Sequence, residues 1–134
     1  MKKDIKLISL DLDGTLLDSK KRLSSRNEKA LKDCIARGIH IVPTTGRTVD
    51  GVPSVIKEIP GVRYAIATNG AIIYDMKEQK VIDSRMLDHD RALDILRMLE
   101  PYPVMFDHYI NGRGISEERF LKHMDEFGLT KELK

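Results

Sequence analysis

The chain has 134 residues, 41% hydrophobic and 33% charged, with a formal net charge of +2. That is enough apolar material for a core, without the clustered basic excess that marks a nucleic-acid surface. A single cysteine, Cys34, excludes an intramolecular disulfide and a cysteine-built zinc site.

No apolar run approaches the ~20 residues of a membrane span. The start MKKDIKLISL, broken by Lys6 and followed by acids, reads as a first strand rather than a signal peptide. A cytoplasmic enzyme or binding domain is the expectation. Residues 5–11, IKLISLD, have the Ile/Leu density of a buried strand. The polar stretch after them, with the basic run Lys20-Lys21-Arg22, reads as a solvated loop. Ser25 and Glu28 have the spacing of a capping box. Ala30, Leu31, Cys34 and Ile35 then recur at helical period, and Gly38 closes the helix. Cys34 reads as a small buried hydrophobe.

A second apolar run, IHIV (39–42), leads into PTTGRT. Val52, Val55, Ile56 and Ile59 suggest a second helix ended by Pro60-Gly61, and a third run, YAIAT (64–68), leads into Asn69-Gly70. Strands alternating with helices predict a parallel α/β sheet with right-handed crossovers. Residues 71–75 and 80–86 read as a hairpin. Beyond residue 86 the unit changes character. Asp88 caps a helix through Leu99 with Ala92, Leu93, Leu96 and Leu99 on its apolar side. A hairpin forms around Asn111-Gly112, and Ser116 opens a last helix carrying Phe120, Leu121, Met124 and Phe127, closed by Gly128.

Ligands of open parallel sheets bind beyond the carboxyl ends of the strands. The residues ending the three strands are Asp11 and Asp13, then Thr44 to Arg47, then Thr68 to Gly70, so they converge on one crevice. Asp11 and Asp13, two residues apart, can face one centre, and a hard cation such as Mg²⁺ relieves their mutual repulsion. An aspartate can then act as a nucleophile toward phosphorus and its neighbour can shuttle protons. Thr45 offers a hydroxyl, and the amides around Gly46 can hold a phosphate oxygen. A calcium loop is a poorer reading, because Leu16 and Leu17 stand where oxygen ligands are needed. Thr-Gly or Asn-Gly alone would be a helix start or a turn; it is the three strand ends in order that favour chemistry.

DLDGTLLDS (11–19) resembles the first motif of the haloacid dehalogenase-like (HAD) hydrolases, TTGRT (44–48) their second motif, and ATNGAIIYD (67–75) the stretch after the third strand in the Cof-type subfamily. The resemblance implies a Rossmann-like three-layer core over residues 1–86 and the first part of an α/β (type IIB) cap over 87–134. It implies that Asp11 is nucleophile and Mg²⁺ ligand. Asp13 would be the general acid/base, with its carbonyl a further Mg²⁺ ligand. Thr45, Gly46 and the Leu12 amide would hold phosphate, and Arg47 and Asn69 would line the substrate pocket, although Arg47 could equally form a structural ion pair. The implied activity is Mg²⁺-dependent hydrolysis of small phosphorylated metabolites, sugar phosphates among them, through an aspartyl-phosphate.

The family's third motif, a lysine, and its fourth, a Gly-Asp-x-x-x-Asp type loop, are not found; no Gly-Asp pair follows residue 86. Two expectations follow: weak or absent activity for these residues alone, and an exposed edge at strand 5–11 that favours a dimer, an oligomer or a complementing fragment. A non-catalytic binding or oligomerisation module is the rival reading. A receiver-type phosphoacceptor fits poorly, since receivers need an aspartate after the third strand, where Thr68-Asn69-Gly70 stands. His40, His89, His108 and His123 are too scattered to suggest a zinc cluster.

Overall fold

A computed structural model describes residues 4–104, 106–110 and 113–116. Two compact units divide the chain, Met1–Met86 and Leu87–Lys134.

In the first unit, β1 (Leu7–Asp11), β2 (His40–Thr44) and β3 (Tyr64–Ala67) run parallel in that order. β4 (Ile72–Asp75) pairs antiparallel with β3, and β5 (Lys80–Ser84) antiparallel with β4, so the hairpin expected over 71–86 ends a mixed sheet. β2 is buried along Ile41, Val42 and Pro43, as an inner strand should be. β1 alternates exposed and half-buried residues and forms the sheet's edge; Leu7 is 54% exposed. The core gathers Leu12, Leu17, Leu31, Ile41, Val52 and Ile56, with Cys34 and Ile35 packed half-buried against it.

The first helix, α1 (Ser25–Ala36), starts one residue earlier than the capping-box spacing implied. Its cap is Ser24, whose hydroxyl accepts the Asn27 N–H at 3.2 Å, while Glu28 turns outward to Lys32 Nζ at 2.6 Å. Two adjacent serines made both registers available, and the Ser24 backbone, in an extended conformation, takes the cap. At the other end Gly38, at φ 77°, donates to the Ile35 carbonyl and Ile39 donates to that of Cys34, a Schellman closure.

The second helix is shorter than the apolar spacing over 52–59 suggested. α2 spans only Ser54–Lys57, because Pro53 stands extended at its cap. Val52 and Ile59 are still buried, through flanking turns, whereas Val55 is exposed.

In the second unit, α3 (His89–Leu99) is capped by Asp88, which accepts from the amides of Asp90 and Arg91. Ala92, Leu93, Leu96 and Leu99 are half-buried, as expected of its apolar side. β6 (Asp107–Ile110) and β7 (Arg113–Ser116) pair antiparallel across residues 111–112. The helix expected to open at Ser116 lies outside the described residues, as does His123.

Candidate active site

The parallel ladder decides which residues meet. Asp11 pairs with Thr44 across β1 and β2, and Thr44 with Ile66 across β2 and β3, so the loops leaving all three strands emerge at one edge. Leu12 is fully buried between exposed Asp11 and Asp13, and its carbonyl accepts the amides of Leu16 and Leu17 at 3.1 and 2.8 Å. The loop thus folds back immediately, through Gly14 at φ 78°, a conformation that side-chain-bearing residues seldom adopt.

That fold-back brings Thr15 Oγ1 to Asp11 Oδ2, where it donates at 2.7 Å. Asp13 is more heavily engaged. Arg47 Nε donates to Oδ2 at 2.7 Å, Arg47 Nη2 to Oδ1 at 2.9 Å, and Lys21 Nζ also to Oδ1 at 2.8 Å. Donation from Arg47, and then from Lys21, holds the Asp13 carboxyl far below the usual carboxylate range. Of the two readings of Arg47, the structure shows the ion pair. The guanidinium also donates through Nη1 to the Gly51 carbonyl at 3.1 Å.

Thr45 is buried, 4% exposed, and its Oγ1 accepts the Arg47 amide at 3.2 Å; among the described residues its hydroxyl hydrogen has no acceptor. The turn Thr68–Gly70 braces this loop: the Thr68 amide donates to the Arg47 carbonyl at 2.8 Å and that of Asn69 to the Thr45 carbonyl at 3.2 Å. Thr68 and Asn69 both stand at positive φ, 52° and 53°. For a β-branched threonine that is an outlier, held by the surrounding bonds. The Thr68 hydroxyl oxygen is buried without a partner among the described residues.

Gly46 lets the Asn69 side chain pack close. A Cβ there would lie 2.8 Å from Asn69 Oδ1. Thr45, Gly46 and Asn69 therefore form one packed group, and Asp13 and Arg47 form another. Two contributors escaped the sequence reading. Thr15 could have been found as the hydroxyl four residues after Asp11, beyond a glycine turn. Lys21 lies in the run read as a solvated loop. Its neighbour Arg22 does point away, to Asp18 at 2.8 Å, but Lys21 turns inward.

No group of three or more His, Cys, Asp or Glu side chains able to hold a metal ion occurs among the described residues. The exposed Asp11 carboxylate and the Asp13 backbone carbonyl would supply an all-oxygen set, the Asp13 carboxylate being engaged by Arg47 and Lys21. Such a set suits Mg²⁺, which commonly uses one or two carboxylates and completes its shell with water and substrate phosphate.

The sequence pattern of the haloacid dehalogenase-like hydrolases matches residues 8–132, and the chain belongs to that family. It is 42% identical over 96 residues to phosphatase YwpJ of Bacillus subtilis, covering 72% of this chain and 33% of that protein. It is 32% identical over 87 residues to the 5-amino-6-(5-phospho-D-ribitylamino)uracil phosphatase YcsE of the same organism, covering 65% of this chain and 34% of that protein. A haloacid dehalogenase-like hydrolase structure from B. subtilis superposes with a TM-score of 0.77 at 34% identity, covering 91% of this chain and 42% of that one. The chain spans about a third of the length of these two curated relatives. Among the described residues no helix is long and apolar enough to cross a membrane.

Proposed function

We propose that these residues form the nucleophile-bearing part of a Cof-type, Mg²⁺-dependent phosphatase that cleaves small phosphorylated metabolites in the cytoplasm. The observation that carries the reading is the convergence of Asp11, Asp13 and the Thr45–Arg47 loop at one edge of the parallel strands. Two named phosphatases among the relatives support it, and the phosphorylated ribitylamino compound in the name of one supports a small-metabolite substrate.

In this reading Asp11 attacks phosphorus and the ester P–O bond breaks. The departing alkoxide is protonated through Asp13, which Arg47 and Lys21 hold ionised in the free protein and which must therefore take up that proton on substrate binding. Asp13 then takes a proton from the water that attacks the aspartyl-phosphate, releasing orthophosphate and restoring Asp11. Thr15 holds one Asp11 oxygen, which fixes the orientation of the other. Thr45 and the amides of Gly46 and Leu12 receive phosphoryl oxygens. Asp11 and the Asp13 carbonyl would hold Mg²⁺, which when bound offsets negative charge on the phosphoryl group. Arg47 keeps Asp13 in place, and Asn69, tied to the Thr45 carbonyl through its backbone amide, would line the pocket. Residues 87–134 are read as the start of the α/β cap.

The family's lysine and Gly-Asp loop are not found in these residues, so slow turnover is expected from the 134 residues alone. Losing a single preorganised donor costs ~100- to 1,000-fold in comparable sites. The edge strand β1, with Leu7 and the preceding Ile5 more than half exposed, favours pairing with a strand of another copy or a complementing segment. That same edge is what a purely binding module would use. Hydrolysis of p-nitrophenyl phosphate with Mg²⁺ separates the two readings. A slow release that is abolished in Asp11→Asn supports the phosphatase; a rate indifferent to that substitution rejects it.

A further inference from the structure

The turn after the Asp11–Asp13 segment is built to deliver one ammonium group. Asp18 staples it. Its Oδ1 accepts the amides of Lys20 and Arg22, both at 2.9 Å, and its Oδ2 accepts Arg22 Nε at 2.9 Å. Its backbone closes the loop as well: the Asp18 amide donates to the Arg22 carbonyl at 3.0 Å, and the Lys21 amide to the Asp18 carbonyl at 2.9 Å. At the apex Lys21 stands at φ 59°, which a residue with a side chain adopts uncommonly and keeps only where its surroundings over-determine it. The outcome is that Lys21 Nζ reaches back eight residues to Asp13 Oδ1.

Arg47 approaches the same carboxylate from the end of β2. Arg47 alone matches the charge of Asp13, so the second cation, Lys21, is not needed there and can be given up to an anion. The two are not equally free to move. Arg47 is fixed by a bidentate contact and by the Gly51 carbonyl, and its side chain is 31% exposed. Lys21 holds on by one contact from a flexible stem that is 55% exposed.

We propose that Lys21 is a phosphate-binding cation: it rests on Asp13 in the free protein and swings its ammonium onto the phosphoryl oxygens when a phosphomonoester enters, while Arg47 keeps Asp13 in place. This rests on the phosphatase reading above and adds to it a binding residue and a movement.

The test is titration of inorganic phosphate into the 134-residue chain, read by calorimetry and by the ¹⁵Nζ resonances of the lysines. The Lys21 Nζ resonance is expected to shift on phosphate saturation while that of Lys20 stays put. Lys21→Met should weaken phosphate binding on the order of five- to tenfold, the scale of one screened charge at contact distance. Lys21→Arg should restore most of it, and Lys20→Met should change nothing. Thr45→Ala separates the two levels. If Thr45→Ala weakens binding but Lys21→Met does not, and the Lys21 resonance is unmoved, Lys21 has no such role and the phosphate site stands. If the wild-type chain takes up no phosphate, both readings fall. Should Lys21→Met not fold, the wild-type Nζ shift alone decides.

Discussion

Arg47 and Asp13, 34 residues apart in the chain, meet through two parallel contacts, Nε to Oδ2 at 2.7 Å and Nη2 to Oδ1 at 2.9 Å. The pair ties the loop after β1 to the loop after β2 and sets where the Asp13 carboxylate faces. Fork-to-carboxylate geometry is specific to arginine. Because both partners are about a third exposed, solvent screens the pair. Arg47→Met should therefore cost only about 0.5–1 kcal/mol of stability. Arg47→Lys should recover the charge but not the orientation, leaving activity and phosphate affinity depressed. Urea melts set beside phosphate titrations of the two variants check this.

Leu12 contributes nothing to the chemistry through its side chain, yet it fixes the aspartates on either side of it. It is fully buried in the main core, so Leu12→Ala should destabilise by about 2–5 kcal/mol. Any folded fraction should bind phosphate more weakly, because the segment between the two acids loses its anchor. Chemical denaturation and phosphate binding measured on the same samples would show both effects.

At Gly46 an added methyl group meets only the end of the Asn69 side chain, at 2.8 Å, and that end can rotate away. Gly46→Ala should thus fold with a loss of about 1 kcal/mol or less, but with impaired phosphate binding. Asn69→Ala removes the obstruction, so the double variant should be more stable than the sum of the two single changes predicts. A double-mutant cycle in urea measures that coupling. Strict additivity would mean that the two residues do not touch.

Acid sensitivity should arise partly away from the site. Asp75 is buried and accepts Arg63 Nε and Nη2 at 2.9 and 2.7 Å, along with the amides of Glu78 and Lys77. These bonds, that of Arg63 foremost, lower its carboxyl to about 2. A carboxyl depressed in the folded state adds stability above its unfolded value, near 3.8, and that stability disappears as pH falls toward about 2. Arg63→Met should flatten the loss without abolishing it, since the two amides remain. Urea midpoints followed from about pH 5 down to about pH 2.5 provide the comparison.

Much of the site was legible because it depends on short-range pattern. An Ile/Leu strand ending in Asp11 and Asp13, and two further strands ending in Thr45-Gly46 and Asn69-Gly70, place those residues at one edge once the strands pair in parallel. What stayed hidden depends on closure of loops. Lys21 looked solvated because nothing local shows that Asp18 bends its turn back toward Asp13. Thr15 joins Asp11 only after Gly14 reverses the chain. The length of α2 was overread because Val52 and Ile59 are buried by turns that share the spacing of a helix. The choice of Ser24 over Ser25 as cap rests on backbone angles that two neighbouring serines do not distinguish.

The role of Asp11 is tested most directly by ¹⁹F NMR of the chain with beryllium fluoride and Mg²⁺, which mimics a phosphoryl group on an aspartate. One bound fluoride species is expected, lost in Asp11→Asn and weakened in Thr45→Ala. Bound signal that survives Asp11→Asn, or none in the wild-type chain, would contradict the assignment of Asp11 as the phosphoryl-accepting residue.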